Sequence, residues 1–380
     1  MHPPARQIDV FIAGAGPAGL ACAIACAVQG LEVHIADAME PPIDKACGEG
    51  LLPDAMEALA RLGLDLVHGP TTHEAHSIPG VRFHGINGET AQALFKTPGR
   101  GIRRTILHQL LLDRAIALGV QFHWKNSVQN IEPTPTGSII RSNRQLLYAR
   151  FVVGADGHHS RVASCAGLTE ATVHSRRIGL RQHYAVKPWT DFVEVYWSNF
   201  GQAYVTPNSS GEVCVAFIAH KKIPSPQMAL SHFPALAHHL ALAQCSGPAR
   251  GSITLGRKLR RVTIGNIALI GDASGSVDAI TGQGLALSFH QAAALAPALK
   301  SNNLTFYQHA HRRIQRQPTL MSRSLLLLDR LPFLRDNALH LFHRHPVVFE
   351  RLLQLHVGQS PLQLFPINSH LHPDYTCRAT

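Results

Sequence analysis

Acidic residues are scarce in this 380-residue chain: 24 Asp and Glu stand against 35 Lys and Arg, a formal charge of +11. Such a balance suits an anionic partner, whether nucleic acid, anionic lipid or a phosphate-bearing cofactor. Aromatics are also few, at 6%. The cations at Arg103, Arg104, Arg176, Arg177, Arg257, Lys258, Arg260, Arg261, Arg312 and Arg313 are scattered and not interleaved with them. That argues against nucleic acid and leaves the cofactor and the lipid surface. Paired cysteines are missing. The seven, at Cys22, Cys26, Cys47, Cys165, Cys214, Cys245 and Cys377, form no CxxC, which predicts a reducing cytoplasm and no structural metal. No apolar run reaches the about 18 residues of a membrane span, and the N-terminus lacks the charged-then-apolar order of a signal peptide. The expectation is a cytoplasmic protein, at most peripheral to a membrane.

What is present is a chain 45% hydrophobic, long enough for two closely joined domains. "IDVFIAG" (residues 8–14) is a short apolar run of the kind that forms a strand buried on both faces. "PAGLACAIACAVQG" follows as a helix of small residues stopped by Gly30, and "LEVHIAD" as a second strand ending at Asp37. The small side chains, Cys22 and Cys26 among them, let the helix lie close to the sheet. "LLPDAMEALARLG" and "RRTILHQLLLDRAIALG" read as helices, residues 71–99 as irregular and His-rich, and "ARFVVGADG" as a strand entering a glycine turn. Period-two alternation in "FVEVYW", "QAYVTP" and "EVCVAFIAH" predicts antiparallel strands of a separate sheet. "GNIALIGDASG" then returns to the parallel-strand pattern, so the first domain is discontinuous. The division expected is 1–70, 101–177 and 262–300 for a nucleotide-binding domain, 71–100 and 178–261 for a substrate-binding β-sheet domain, and 301–380 for a C-terminal helical region.

In Gly14-Ala15-Gly16-Pro17-Ala18-Gly19 the first glycine permits a tight turn, the second lets backbone approach a pyrophosphate, and the third lets helix meet strand. The helix N-terminus adds free N–H groups and the positive end of its dipole. Asp37 closes the next strand at the spacing of an acid that reaches a ribose hydroxyl. NAD and FAD both fit such a loop.

The downstream turns narrow the choice. GAGPAG, Arg104 in "RRTILHQLLLDRA", "GADGHHSR" and "LIGDASGSVDAITGQG" together resemble the FAD proteins that include the p-hydroxybenzoate hydroxylase-like aromatic hydroxylases and the geranylgeranyl reductases. The resemblance implies an α/β fold, with a Rossmann-like FAD-binding domain of the GR2 type, an inserted mixed or antiparallel β-sheet substrate domain and a C-terminal helical segment. It implies FAD as cofactor and NAD(P)H as transient reductant. By the same resemblance the cofactor-binding residues are Gly14, Gly16, Pro17, Ala18, Gly19, Asp37, Ala38, Lys45, Cys47, Gly48, Arg104, Asp156, Gly271, Asp272, Gly282, Gln283 and Gly284. Asp272 would lie at the ribityl chain, and Gly282, Gln283 and Gly284 would aim N–H groups at the flavin edge that is anionic when reduced.

Departures from the hydroxylase pattern matter as well. Gly275 replaces the usual His after the Gly-Asp turn, Ser276 and Ala279 stand where prolines fall, and Arg161 directly follows Ser160 while Ala163 takes the position where the hydroxylases carry Arg. "DKACGEG" resembles the reductase loop in which a cysteine sits near the flavin. The function expected is an NAD(P)H- and O2-dependent monooxygenase hydroxylating an apolar, electron-rich substrate such as a phenolic lipid or polyketide, with a reductase of isoprenoid C=C bonds as the alternative. A non-catalytic lipid carrier on the same fold is the third reading. Cys47 and His183 are the catalytic candidates, His183 because it opens the expected pocket sheet. Glu194, Tyr196, Trp197 and Tyr204 lie on that sheet and suit cross-strand packing. The 25 histidines show no ligand spacing at His238-His239 or His343–Pro346, so no metal is expected. The partner implied is a small apolar organic molecule. The Leu-rich tail, with Arg323, Arg330, Arg335 and Arg344, is the segment that would touch a membrane.

Overall fold

The computed structural model describes residues 7–69 and 74–359; Cys377 and the end of the C-terminal region lie outside them. The run read as a buried strand, Ile8–Ala13, is the middle of a mainly parallel sheet. It pairs in parallel with Val33–Ala36 on one side and Leu146–Gly154 on the other. Gln121–His123 and Ile267–Leu269 extend the sheet outward, also in parallel. Val10, Phe11 and Ile12 are fully buried, as the absence of any polar alternation requires. The Pro17–Val28 helix packs against the sheet, with the Arg104–Ala117 and Gly284–Lys300 helices beside it. Its small residues make that approach close. Residues Gly19 to Cys26 are all buried, and Cys22 and Cys26 pack sulfur to sulfur at 3.9 Å.

A second, mixed sheet runs in the order Gly275–Ser276, Arg250–Leu259, Ala171–Ala185, Glu212–Ala219, Gly201–Ser209, Val193–Trp197, Ala75–His84, Thr90–Ile102, Gly50–Leu51. All its neighbours along this path are antiparallel except Val193–Trp197 with Ala75–His84. Part of this sheet corrects the sequence reading. Residues 71–99 were expected to be irregular, yet from Ala75 onward they form a long hairpin. Ala91, Ala93 and Phe95 alternate inward, but alanine has little preference for strands, so pairing and not propensity decides the state.

The two edges of the second sheet position the site. Gly50–Leu51 directly follows "CGE", and Gly275–Ser276 lies inside "GDASGS". Two loops that belong in sequence to the nucleotide-binding half thus supply the first and last strands of the other sheet. The C-terminal helices, Leu304–Arg330, Pro332–Arg344 and Pro346–His356, close over the hairpin through Leu326, Phe349, Leu353 and Val357.

Candidate active site

At the end of the first strand, Gly14 and Gly19 are fixed by packing. Gly14 has φ +101°, and a Cβ there would lie 2.4 Å from the Ala155 carbonyl oxygen; one on Gly19 would lie 1.8 Å from the Gly14 oxygen. Gly16 is different. A Cβ on it would meet only Arg104 Nη2, at 3.9 Å, so no protein atom requires glycine there. Gly16 also caps the Pro17–Val28 helix without a side chain, and no acid stands in the first turn, so N–H groups and dipole face outward unneutralised. Asp37 holds the loop through its Oδ2, which accepts from Ala15 N at 2.8 Å, and its Oδ1 accepts from Met39 N. His108 supports the loop from behind by donating Nε2–H to the Ala15 carbonyl at 2.9 Å; burial holds its pKa below the usual histidine range, with the Arg104 charge adding to this. Ala38 and Lys45 lie exposed beyond Asp37.

The second glycine turn reaches the first. Gly271 has φ +57°, and a Cβ there would lie 2.8 Å from the Ala18 Cβ. Asp272, exposed, lies 3.4 Å from His158 Nε2, and its carbonyl accepts from Arg257. Gly282, at φ +66°, ends the following turn beside Leu52. The 17-residue Gly284–Lys300 helix then begins with neither a capping side chain nor an acid in its first turn. Gln283 itself is buried and donates its side-chain amide to the His356 carbonyl at 2.7 Å. Asp156 is committed to the turn after its strand: it accepts from Ser160 Oγ, Arg161 N and Val162 N.

These segments meet at one place and leave it incomplete. Two uncapped helix N-termini open there, a Cβ on Gly48 or Gly284 would meet nothing within 4 Å, and Arg104 Nε is buried with no partner. Open glycines, free backbone donors and an unpartnered guanidinium edge form a donor set for a pyrophosphate with a flat ring system beyond it. The residues fit FAD.

The family described as an FAD binding domain matches residues 7–303. The chain belongs to that family. Its cofactor is FAD, and its class is the FAD-dependent oxidoreductases that hold the aromatic hydroxylases and the geranylgeranyl reductases. A menaquinone reductase of Mycolicibacterium smegmatis is 26% identical, with 80% of this chain and 79% of that protein aligned. A digeranylgeranylglycerophospholipid reductase of Methanothermobacter thermautotrophicus is 23% identical over 73% of each. An FAD-dependent monooxygenase of Aspergillus terreus is 28% identical over 43% of this chain and a quarter of its own length. Among solved structures, a flavoprotein/dehydrogenase of Cytophaga hutchinsonii shares the fold with a TM-score of 0.80 at 20% identity, over 92% of this chain and 93% of the other.

Beneath Cys47 lies a polar nest that the sequence reading missed in part. Glu49 is 2% exposed and has φ +60°, an uncommon conformation for a residue with a side chain. Its carboxylate explains the position. It accepts from Arg104 N (3.1 Å), from His183 Nε2 (2.6 Å) and from Asn208 Nδ2, while its carbonyl accepts from Ile102 N. Arg181 donates to His183 Nδ1 at 2.8 Å. Because guanidinium has no acceptor, the His183 proton sits on Nε2 and points at Glu49. His183 is therefore buried with both nitrogens engaged, one layer behind the loop. Cys47 is half-buried, and burial pushes its thiol pKa up against the nearby Arg104 charge. Cys214 donates its thiol to the Cys47 carbonyl at 3.7 Å. Glu49, His183 and Cys214 have ligand atoms within 4.8 Å of one another, but the first two are spent on each other and burial keeps Cys214 a thiol.

Asp54 was missed altogether. It opens the Pro53–Arg61 helix and faces Gln283, whose amide lies 3.5 Å from its Oδ2. Burial outweighs that bond and the Ala55 N–H, and pushes the carboxyl up to about 7. The second acid of "GDASGSVDA" is Asp278. It is fully buried against Arg177, which donates to both of its oxygens. Arg177 also bonds Gln202 and Asp329, and Ser175 donates to Asp278 at 2.6 Å. Of the sheet residues, Glu194 gathers Arg82, His84, Trp189 and Tyr196 around its carboxylate. Burial pushes its pKa up, but the bonds from His84, Tyr196 and Trp189 prevail and hold it at about 2. Tyr204 donates to the Ile280 carbonyl. In sequence, the one local signal for Glu49 is an acid set between two glycines in "CGEG".

Proposed function

We propose that the protein reduces a C=C bond in an isoprenoid lipid or quinone. The observation that carries this reading is the seat of the "DKACGEG" loop. It is pinned by Glu49 to the second sheet and to the Arg104 helix, with Cys47 and the open Gly48 at the junction where the glycine turns meet. Relatives aligned over about three quarters or more of both chains are reductases of a menaquinone and of a digeranylgeranyl lipid, which supports the same reading. FAD held there would supply the hydride such a reduction needs, with NAD(P)H as the reductant. The chain supplies the rest. The uncapped Pro17–Val28 N-terminus and Arg104 would hold the pyrophosphate, Asp37 the ribose, Asp272 the ribityl side and the Gly282–Gly284 turn the ring edge. Asp54, protonated up to about pH 7 beside that turn, is the group able to hold the proton that follows the hydride.

A monooxygenase is the second reading, favoured by the partial alignment with the Aspergillus terreus enzyme. One experiment separates the two. Purified holoenzyme is incubated with NAD(P)H and either menaquinone or a geranylgeranyl lipid, with and without O2, and the product is weighed by mass spectrometry. Gain of two hydrogens under anaerobic conditions is the expected result. Gain of an oxygen atom, only when O2 is present, would overturn the reductase reading in favour of the other.

A further inference from the structure

The Pro332–Arg344 helix turns an apolar face to the outside. Arg335 and Leu339 are buried inward and Phe342 packs on Phe349 with ring centroids 4.8 Å apart. Phe333, 76% exposed, and Leu334 and Leu341 point outward from the same helix, Leu334 and Leu341 on one side at a seven-residue spacing and Phe333 beside them. The helix has 13 residues and is about 20 Å long, with these side chains near its two ends. The neighbouring segments add further exposed apolar side chains, Leu327 and Leu331 before the helix and Val347, Val348 and Leu352 after it. Exposed apolar side chains gathered on consecutive helices suit a contact surface.

Charge says what the contact is. Exposed Arg330 and Arg344 flank this surface, and the 2.8 Å bond from His220 to Asp329 brings exposed Lys221 and Lys222 beside Arg330. The acids near it have basic partners: Asp329 lies 3.5 Å from Arg177, which it shares with Asp278, and 2.8 Å from His220, Asp336 pairs with Arg335, and Glu89 lies 3.1 Å from His340. Glu350, the remaining acid of these helices, accepts from the Gln354 side chain. The Arg335 assigned to a membrane in the sequence is therefore an inward ion pair, and Lys221 and Lys222 take its place.

We propose that this face docks on an anionic lipid bilayer, with the Pro332–Arg344 helix lying in the headgroup plane. Among 18-residue-or-longer helices of the described residues none is apolar enough to cross a membrane, so the contact is with its surface. The inference holds for any substrate delivered from a bilayer and does not depend on which reaction follows.

The test is flotation of the full-length holoprotein with vesicles of phosphatidylcholine alone and of phosphatidylcholine mixed with phosphatidylglycerol. Wild type is expected to float with the mixed vesicles at low salt and to be released as salt rises. Phe333→Asp with Leu341→Asp should abolish flotation, and Lys221→Gln, Lys222→Gln and Arg330→Gln should each weaken it about fivefold. These are exposed positions, and an unchanged melting temperature shows that the fold is kept. Failure of wild type to float with the anionic vesicles, or flotation unaffected by the Phe333 and Leu341 changes, overturns the proposal. Sedimentation velocity showing a dimer that Phe333→Asp converts to monomer would also overturn it, by giving the face to a second copy. Reduction of a detergent-dispersed quinone reports on the proposed chemistry separately, so either idea can fail alone.

Discussion

Among single residues, two carboxyls, one half-buried and one buried, answer opposite demands. Asp54 sits where burial exceeds what the Ala55 N–H and the Gln283 amide return, so its carboxyl titrates at about 7. Unfolded, the same group titrates at about 3.9. The folded state thus binds the proton more tightly, and the stability it contributes is whole below the unfolded value and lost as pH rises through about 7. Glu194 runs the other way. Held at about 2 by its bonds, it contributes stability above its unfolded value that disappears as pH falls toward 2. Melting temperature measured across pH should therefore decline between about pH 4 and pH 7 through Asp54. Asp54→Asn should flatten that decline while leaving the acid limb in place. An unaltered profile in the variant would refute the assignment. The same substitution should slow product formation if Asp54 holds the transferred proton, while flavin content stays constant.

Elements differ in how plainly the sequence announces them. The first strand, helix and strand were legible because "IDVFIAG" is continuously apolar and the helix after it is small on nearly every side, and both patterns follow from being buried on two faces. The hairpin Ala75–Ile102 was not, because Ala91 and Ala93 carry its inward alternation with side chains too small to signal strand. Polar clusters were illegible for a different reason. Arg177 and Asp278 are 101 residues apart, and Glu49 and His183 are 134 apart, so no local period connects them. Inside the recognised glycine loop the structure separates Gly14 from Gly16 along the roles that the motif suggests for them. Gly14→Ala should destabilise the fold by about 1–3 kcal/mol through backbone strain, since its Cβ would meet backbone at 2.4 Å. Gly16→Ala should leave the apoprotein melting curve nearly unchanged, because its Cβ meets only Arg104 Nη2 at 3.9 Å, yet cut the flavin absorbance retained per protein. If both variants keep flavin, the open space over Gly16 is not the pyrophosphate seat.

Across the whole molecule, the junction around Arg177 decides whether the two sheets act as one body. Arg177 comes from the second sheet, Asp278 from the loop of the parallel sheet that runs from Gly271 to Gly282, and Asp329 from the long C-terminal helix. Asp278 also accepts from Ile280 N and so shapes the turn that ends at Gly282. Removing one partner of a fully buried ion pair leaves the other charge without compensation, which costs about 3–5 kcal/mol. Asp278→Ala leaves Arg177 with Asp329 and Gln202, so it should lower stability by no more than that amount in urea denaturation, and release flavin at the same time, because the turn and the junction share one side chain. Replacing both residues, as in Arg177→Met with Asp278→Leu, removes the guanidinium left with a single acid and should recover part of the stability. Flavin should not return with it, since a leucine side chain has no oxygen to accept from Ile280 N. A double variant that regains both would mean the turn is set by its own backbone. One that regains neither would mean the remaining partners, Gln202 and Asp329, depend on the arginine more than on the aspartate.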